Sequence, residues 1–205
     1  MHGKPRDRMS RLKETVVRGS TTALVSAGLD WTAGDKLALL PTALQHQHTD
    51  YLYVQSYNKE TGVVTFTDKA KFYHWGQSMS TADNYNGVDM RGEVVLLTRN
   101  VKVIGDDTDS WGGQIVVSDN IEDSGVKRSG QLTMDHVEVY NCSQMNTFRS
   151  AIRFEGVNNL TQVVRNVAVH GSLSWSISSQ FSSNVLIEDS AFIGARQIGL
   201  HVLTS

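Results

Sequence analysis

The residues best suited to chemistry are His74, Asp89, Arg91 and Glu93, with Asp83 between the first two. Cleaving a polysaccharide takes one acid to protonate the leaving oxygen and a second carboxylate as base or nucleophile. An arginine beside them would hold a uronate carboxylate through two parallel N–H bonds. Asp89, Arg91 and Glu93 alternate, so on a strand they would share one face. The plainer account of that spacing is that Arg91 neutralises its two acidic neighbours at an edge. The stretch from Ser78 to Gly87 would be a lid over the group or a simple insertion. A second cluster, His46, His48 and Asp50, would also share a strand face and suit a divalent metal. Its alternative is a polar strand edge leading into Tyr51 and Tyr53.

Further along, Arg153 and Glu155 share a face, flanked by inward Ile152 and Phe154. They read as an ion pair along the fold or as the wall of a ligand groove. Trp111, like Trp31, Trp75 and Trp175, could stack on a sugar ring or simply bury its area. His136, His170 and His201 fall at positions where packing or a corner would satisfy them. Asp106, Asp107 and Asp109 form the densest acidic patch, a Ca²⁺ site or a solvated turn. Beyond Ca²⁺ no cofactor is implied. Cys142 is the one cysteine, so there is no intrachain disulfide and no cysteine-rich zinc motif. Asn141-Cys142-Ser143 and Asn159-Leu160-Thr161 permit glycosylation, at a frequency that chance supplies in so Asn-, Ser- and Thr-rich a chain.

The elements that must position these residues are short strands. Runs such as 36–42, 50–57, 62–68, 93–98, 113–119 and 151–156 are rich in Val, Ile or aromatics and bounded by Gly, Asn, Asp or Ser. No stretch carries a convincing helical stripe; 8–18 comes nearest. Asn58-Lys59-Glu60-Thr61-Gly62 looks like a hairpin loop. After about Arg91 a unit recurs: a polar residue, a valine, alternation and a turn residue, beginning at Asn100, His136, Asn166 and Asn184. Such recurrence marks a solenoid, whose coils bury their apolar faces only by stacking. Its unequal intervals predict insertions bulging out as loops, and asparagine at a coil corner tolerates the left-handed conformation.

Composition narrows the class. The chain has 205 residues, 40% hydrophobic and 20% charged, as in an ordered soluble fold. Seventeen Gly and only two Pro, both in the first quarter, leave Gly, Asn, Asp and Ser to make the turns. A formal charge of −2 carries no basic footprint for nucleic acid. The basic cluster Lys4, Arg6, Arg8, Arg11 and Lys13 reads as a solvated arm. No apolar run is long enough to span a membrane. The polar, basic start is not a signal peptide, so the chain is expected to be a piece of a longer protein.

Several motifs go further. His2-Gly3-Lys4-Pro5-Arg6, Leu12 and the run 30–42 from Asp30-Trp31 to Pro41-Thr42 resemble the closing part of a G8 domain. Tyr73-His74-Trp75-Gly76 and the run 89–101 resemble the lead into the β-helix of the same proteins. Trp111-Gly112-Gly113, Val137 to Gln144 and Ala151 to Glu155 complete the pattern. The chain therefore resembles the G8-domain, parallel β-helix family, in its fibrocystin-L-like branch. The resemblance implies an all-β fold: a right-handed parallel β-helix over 91–205, preceded over 1–90 by the C-terminal part of a G8-type domain. It implies an extracellular or cell-surface parent, with a polysaccharide or a cell-surface protein as partner. The expected role is non-catalytic, structural or adhesive, or glycan-binding. The alternative is a hyaluronan- or other polysaccharide-degrading hydrolase of the transmembrane protein 2 type, worked by the His74, Asp89, Arg91 and Glu93 group. A lyase on the same fold would need a basic residue beside Ca²⁺-binding carboxylates.

Overall fold

The computed structural model describes residues 1–77, 88–106 and 108–203 and divides the chain into two compact units. One is Arg6–Thr98; the other joins Met1–Pro5 to Arg99–Ser205. Asp83 and the rest of 78–87, and Asp107, lie outside the described residues.

The unit Arg6–Thr98 is an antiparallel sheet of β1 (Met9–Arg11), β2 (Thr22–Leu24), β3 (Lys36–Leu39), β4 (Asp50–Tyr57), β5 (Val63–Phe66) and β6 (Glu93–Leu96), ordered β1-β6-β3-β4-β5-β2. β4 shows the alternation that makes it a half-buried strand: Leu52 and Val54 face a core of Leu37, Leu39, Phe66 and Leu96, while Tyr51 and Tyr53 face solvent. The hairpin expected at 58–62 joins β4 to β5. Asn58 Oδ1 accepts from the N–H groups of Glu60 and Thr61, and Gly62 takes a φ of 80° that a side chain would resist. The basic start is not a solvated arm throughout. Arg6 donates to Asp30 and to buried Asp35, and the bond to Asp35 raises the Arg6 pKa.

The other unit is the parallel β-helix that the repeats predict. Its three parallel sheets are β7 (Val101–Ile104), β12 (Val137–Tyr140), β15 (Ala168–His170) and β18 (Ala191–Ile193); β8 (Ile115–Ser118), β13 (Ile152–Glu155), β16 (Ile177–Gln180) and β19 (Leu200–Leu203); and β11 (Thr133–Asp135), β14 (Gln162–Arg165) and β17 (Val185–Glu188). The chain visits the sheets in turn, and a hairpin of β9 (Asn120–Ile121) and β10 (Lys127–Arg128) interrupts the first coil. Stacked side chains fill the interior: Ile115, Ile152 and Ile177 form one row, and Val103, Val139, Val169 and Phe192 another. Each fully buried residue of this kind contributes about 1.5–3 kcal/mol.

Corners turn on left-handed residues. His136, Asn166 and Asp189 have φ of 54°, 55° and 52°, each at the same step of successive coils. This corrects one member of the predicted repeat. Asn184 opens β17, which stacks on β14, so the residue equivalent to His136 and Asn166 is Asp189. Asn184 has a φ of 59° and belongs to a different corner.

Candidate functional site

His74 does not join Asp89, Arg91 and Glu93. It is wholly buried, with Nδ1 donating to the Leu40 carbonyl at 2.9 Å and Nε2 3.0 Å from Asp50 Oδ2. The same carboxylate accepts from the backbone N–H groups of Lys71 and Phe72. Asp50 and His74 thus clasp the segment after β5 against the ends of β3 and β4, and no substrate reaches the imidazole.

Asp89, Arg91 and Glu93 do lie together, though not by strand alternation, since β6 begins only at Glu93. Arg91 grips Asp89 through Nε at 2.9 Å and Nη2 at 2.8 Å. Arg11 grips Glu93 at 2.7 Å and donates to the carbonyls of Asp89 and Arg91. The side-chain bond from Arg91 lowers the Asp89 pKa to about 2. A carboxylate held so low stays ionised at neutral pH and cannot serve as the general acid. An open cleft of about 470 Å³ is lined by these residues together with Pro41, Leu44 and His46.

The second cluster separates as well. His46 lies in a turn and His48 in irregular chain before β4, so neither shares a strand face with Asp50. His48 stacks on Phe72 with ring centroids 4.4 Å apart, while Asp50 points inward to His74. Among the described residues, no group of three His, Cys, Asp or Glu is placed to hold a metal. Of the acidic trio, Asp106 bonds to Thr108 and Asp109 is exposed. Trp31 and Trp175 are buried.

Arg153 and Glu155 line one groove of the β-helix, and Trp111 lies outside that lining, in contact with Arg149. Arg153 and Glu155 take the outward positions of β13, with Val116 and Ser178 beside the first and Ser118 and Gln180 beside the second. Arg153 Nε lies 2.9 Å from Glu155 Oε1. The loop between β12 and β13 carries Phe148 and Arg149 over this face. Together with Arg153, Glu155 and Gln180 they line a shallow groove of about 390 Å³. Phe148 is 73% exposed, and its ring leans on Trp175 at 5.3 Å, whose other neighbour is His201 at 4.4 Å. The Arg149 guanidinium sits over half-exposed Trp111 at 5.3 Å. Thr147 anchors the loop by accepting, at its carbonyl, the Ser174 hydroxyl.

Phe148, Arg149 and Gln180 were not among the expected site residues. The one signal in sequence is an aromatic and a cation placed together in an otherwise polar insertion, Asn146-Thr147-Phe148-Arg149. Exposed rings, guanidinium groups and an amide suit a polyhydroxylated ligand: sugar C–H groups meet the negative ring faces, and the polar groups meet hydroxyls and carboxylates. Glu155 is the one carboxylate lining the groove, and Arg153 holds it, so the paired carboxylates of glycoside hydrolysis are not present there among the described residues.

No family model matches the sequence. Curated relatives do. Fibrocystin of Mus musculus is 26% identical over 97% of this chain and 5% of its own length. Fibrocystin-L of Homo sapiens is 21% identical over 70% of the chain and 4% of its own. The cell migration-inducing and hyaluronan-binding protein of Mus musculus is 25% identical over 96% of the chain and 15% of its own. The chain thus spans a small fraction of the length of each. Among solved structures, a tailspike protein of Pseudomonas phage LKA1 overlays with a TM-score of 0.37 at 11% identity, covering 88% of this chain and 28% of that one. Along most of its length, then, the chain is similar to fibrocystin-type and G8-domain proteins, the relationship that its motifs predict.

Proposed function

We propose that this chain is a non-catalytic, glycan-binding segment of a larger cell-surface protein, and that it holds a carboxylate-bearing polysaccharide in the groove over β13. The observation that carries the reading is the placement of exposed Phe148 beside Arg149, Arg153 and Glu155 in one groove of the β-helix, with exposed Trp111 under the Arg149 guanidinium. A relative whose name records hyaluronan binding supports this class of ligand. A polysaccharide-degrading role finds no support in the His74, Asp89, Arg91 and Glu93 group, because His74 is sealed in the core and each of the three others is held in an ion pair.

The test is calorimetric titration of the chain with hyaluronan oligosaccharides, with a neutral glucan as the comparison. Binding to the acidic polymer should weaken about tenfold, or about 1.4 kcal/mol, in each of Phe148→Ala and Arg153→Ala. Affinity that is unchanged in both variants would remove the groove from the reading. Shortening of the polymer during the titration would show the segment to be catalytic.

A further inference from the structure

The two glycosylation triplets sit in opposite surroundings. Asn141 follows β12 at a corner with a φ of 57°, and its amide donates to the Gly105 carbonyl. The next two residues of that triplet are sealed: Cys142 is 1% exposed, and Ser143 is wholly buried with its hydroxyl accepting from the Ser174 N–H at 2.7 Å. Asn141 itself is half-buried, and the neighbouring coil packs tightly on its main chain. A methyl group added at Gly105 or Gly112 would already lie 2.1 or 2.2 Å from the Asn141 carbonyl oxygen.

Asn159, Leu160 and Thr161 are all exposed, in the loop between β13 and β14. The Asn159 amide uses its two hydrogens at the surface, on Ser129 Oγ at 2.8 Å and Asp119 Oδ2 at 3.1 Å. Substitution on nitrogen removes one hydrogen and leaves the other to keep one of these bonds. Nothing buried has to move.

We infer that Asn159 carries an N-linked oligosaccharide and that Asn141 does not. The inference rests on the cell-surface part of the proposal above, since such triplets are modified in exported proteins. The donor is an oligosaccharide linked to a lipid diphosphate. A bond forms between Asn159 Nδ2 and the anomeric carbon of the first sugar, and the bond from that carbon to the diphosphate oxygen breaks. The lipid diphosphate leaves with the electron pair, one amide proton passes to a base of the transferase, and nothing is oxidised or reduced.

The experiment exports the full chain behind a cleavable leader from a glycosylating eukaryotic cell. The secreted protein is weighed before and after treatment with an amidase that removes N-linked glycans. Forced export separates this result from the question of where the native protein resides. The expected outcome is one glycan, lost in Asn159→Gln and in Thr161→Ala but kept in Thr161→Ser and Asn141→Gln. Secreted protein without a glycan, or a glycan that survives Asn159→Gln and disappears in Asn141→Gln, would overturn the inference.

Discussion

His170 Nε2 lies 2.9 Å from Glu138 Oε1, and both side chains are almost fully buried although they stand on neighbouring strands of one sheet. The other oxygen of Glu138 takes the Lys102 ammonium at 3.0 Å and the Arg99 N–H at 3.1 Å. Burial pushes the Glu138 carboxyl up, but the bonds from His170, Lys102 and Arg99 outweigh it and leave the pKa lowered. The Tyr140 ring stacks on His170 at 4.7 Å and closes the site.

Removing that carboxylate strands several donors at once. Glu138→Ala should destabilise the chain by about 3–5 kcal/mol, as for breaking a buried ion pair from one side. The urea midpoint measures it; a loss below about 1 kcal/mol would mean that water reaches these groups.

Acid should unfold the β-helix through its carboxylates. Burial raises the Asp135 pKa, yet bonds from Asn166 and Arg165 and the nearby cations His136 and Arg165 bring it down to about 2. A folded pKa below the ordinary value of about 3.9 gives stability that is complete above about pH 4. It is lost as the pH falls towards 2, and Glu138 acts with the same sign. The thermal midpoint should fall over that window, and Asp135→Asn should flatten the fall. An unchanged acid limb in Asp135→Asn would show that other groups govern it.

His74 and Arg91 should part company when each is replaced. His74→Ala takes the imidazole from buried Asp50, leaving it only the Lys71 and Phe72 N–H groups, and should cost about 3–5 kcal/mol of stability. Arg91→Ala removes a pair that is partly open to water and should cost no more than about 1 kcal/mol. Chemical denaturation of both variants, side by side, reads the difference; equal losses would contradict it.

Phe181 holds a φ of 49° while 56% exposed, after β16, where the preceding coil has Gly156 after β13. A left-handed residue with a side chain is strained by about 1–2 kcal/mol, and glycine relieves it. Phe181→Gly should therefore raise the midpoint of thermal unfolding. A lowered midpoint would mean that contacts of the ring outweigh the strain.

Asp50 shows how far local pattern reaches. Strand alternation through Leu52 and Val54 was legible, because a period of two follows from the backbone alone. That Asp50 turns to His74 was not, since the two meet only when the segment after β5 folds back across the sheet. Spacing in sequence likewise put His46 and His48 on its face, and a turn before β4 removes them.

The sequence by itself determined the class of fold. Valine alternation ending in Asn, Asp or Gly specifies short strands closed by left-handed corners, and its recurrence requires coils that stack. Only the tertiary structure decided which strand stacks on which, so that Asp189 rather than Asn184 follows Asn166. It also decided that Phe148, Arg149 and Arg153 share one groove while His74 is sealed away from Arg91. The physical reason is that parallel coils touch through residues a whole coil apart, and insertions of unequal length hide that register from any local rule.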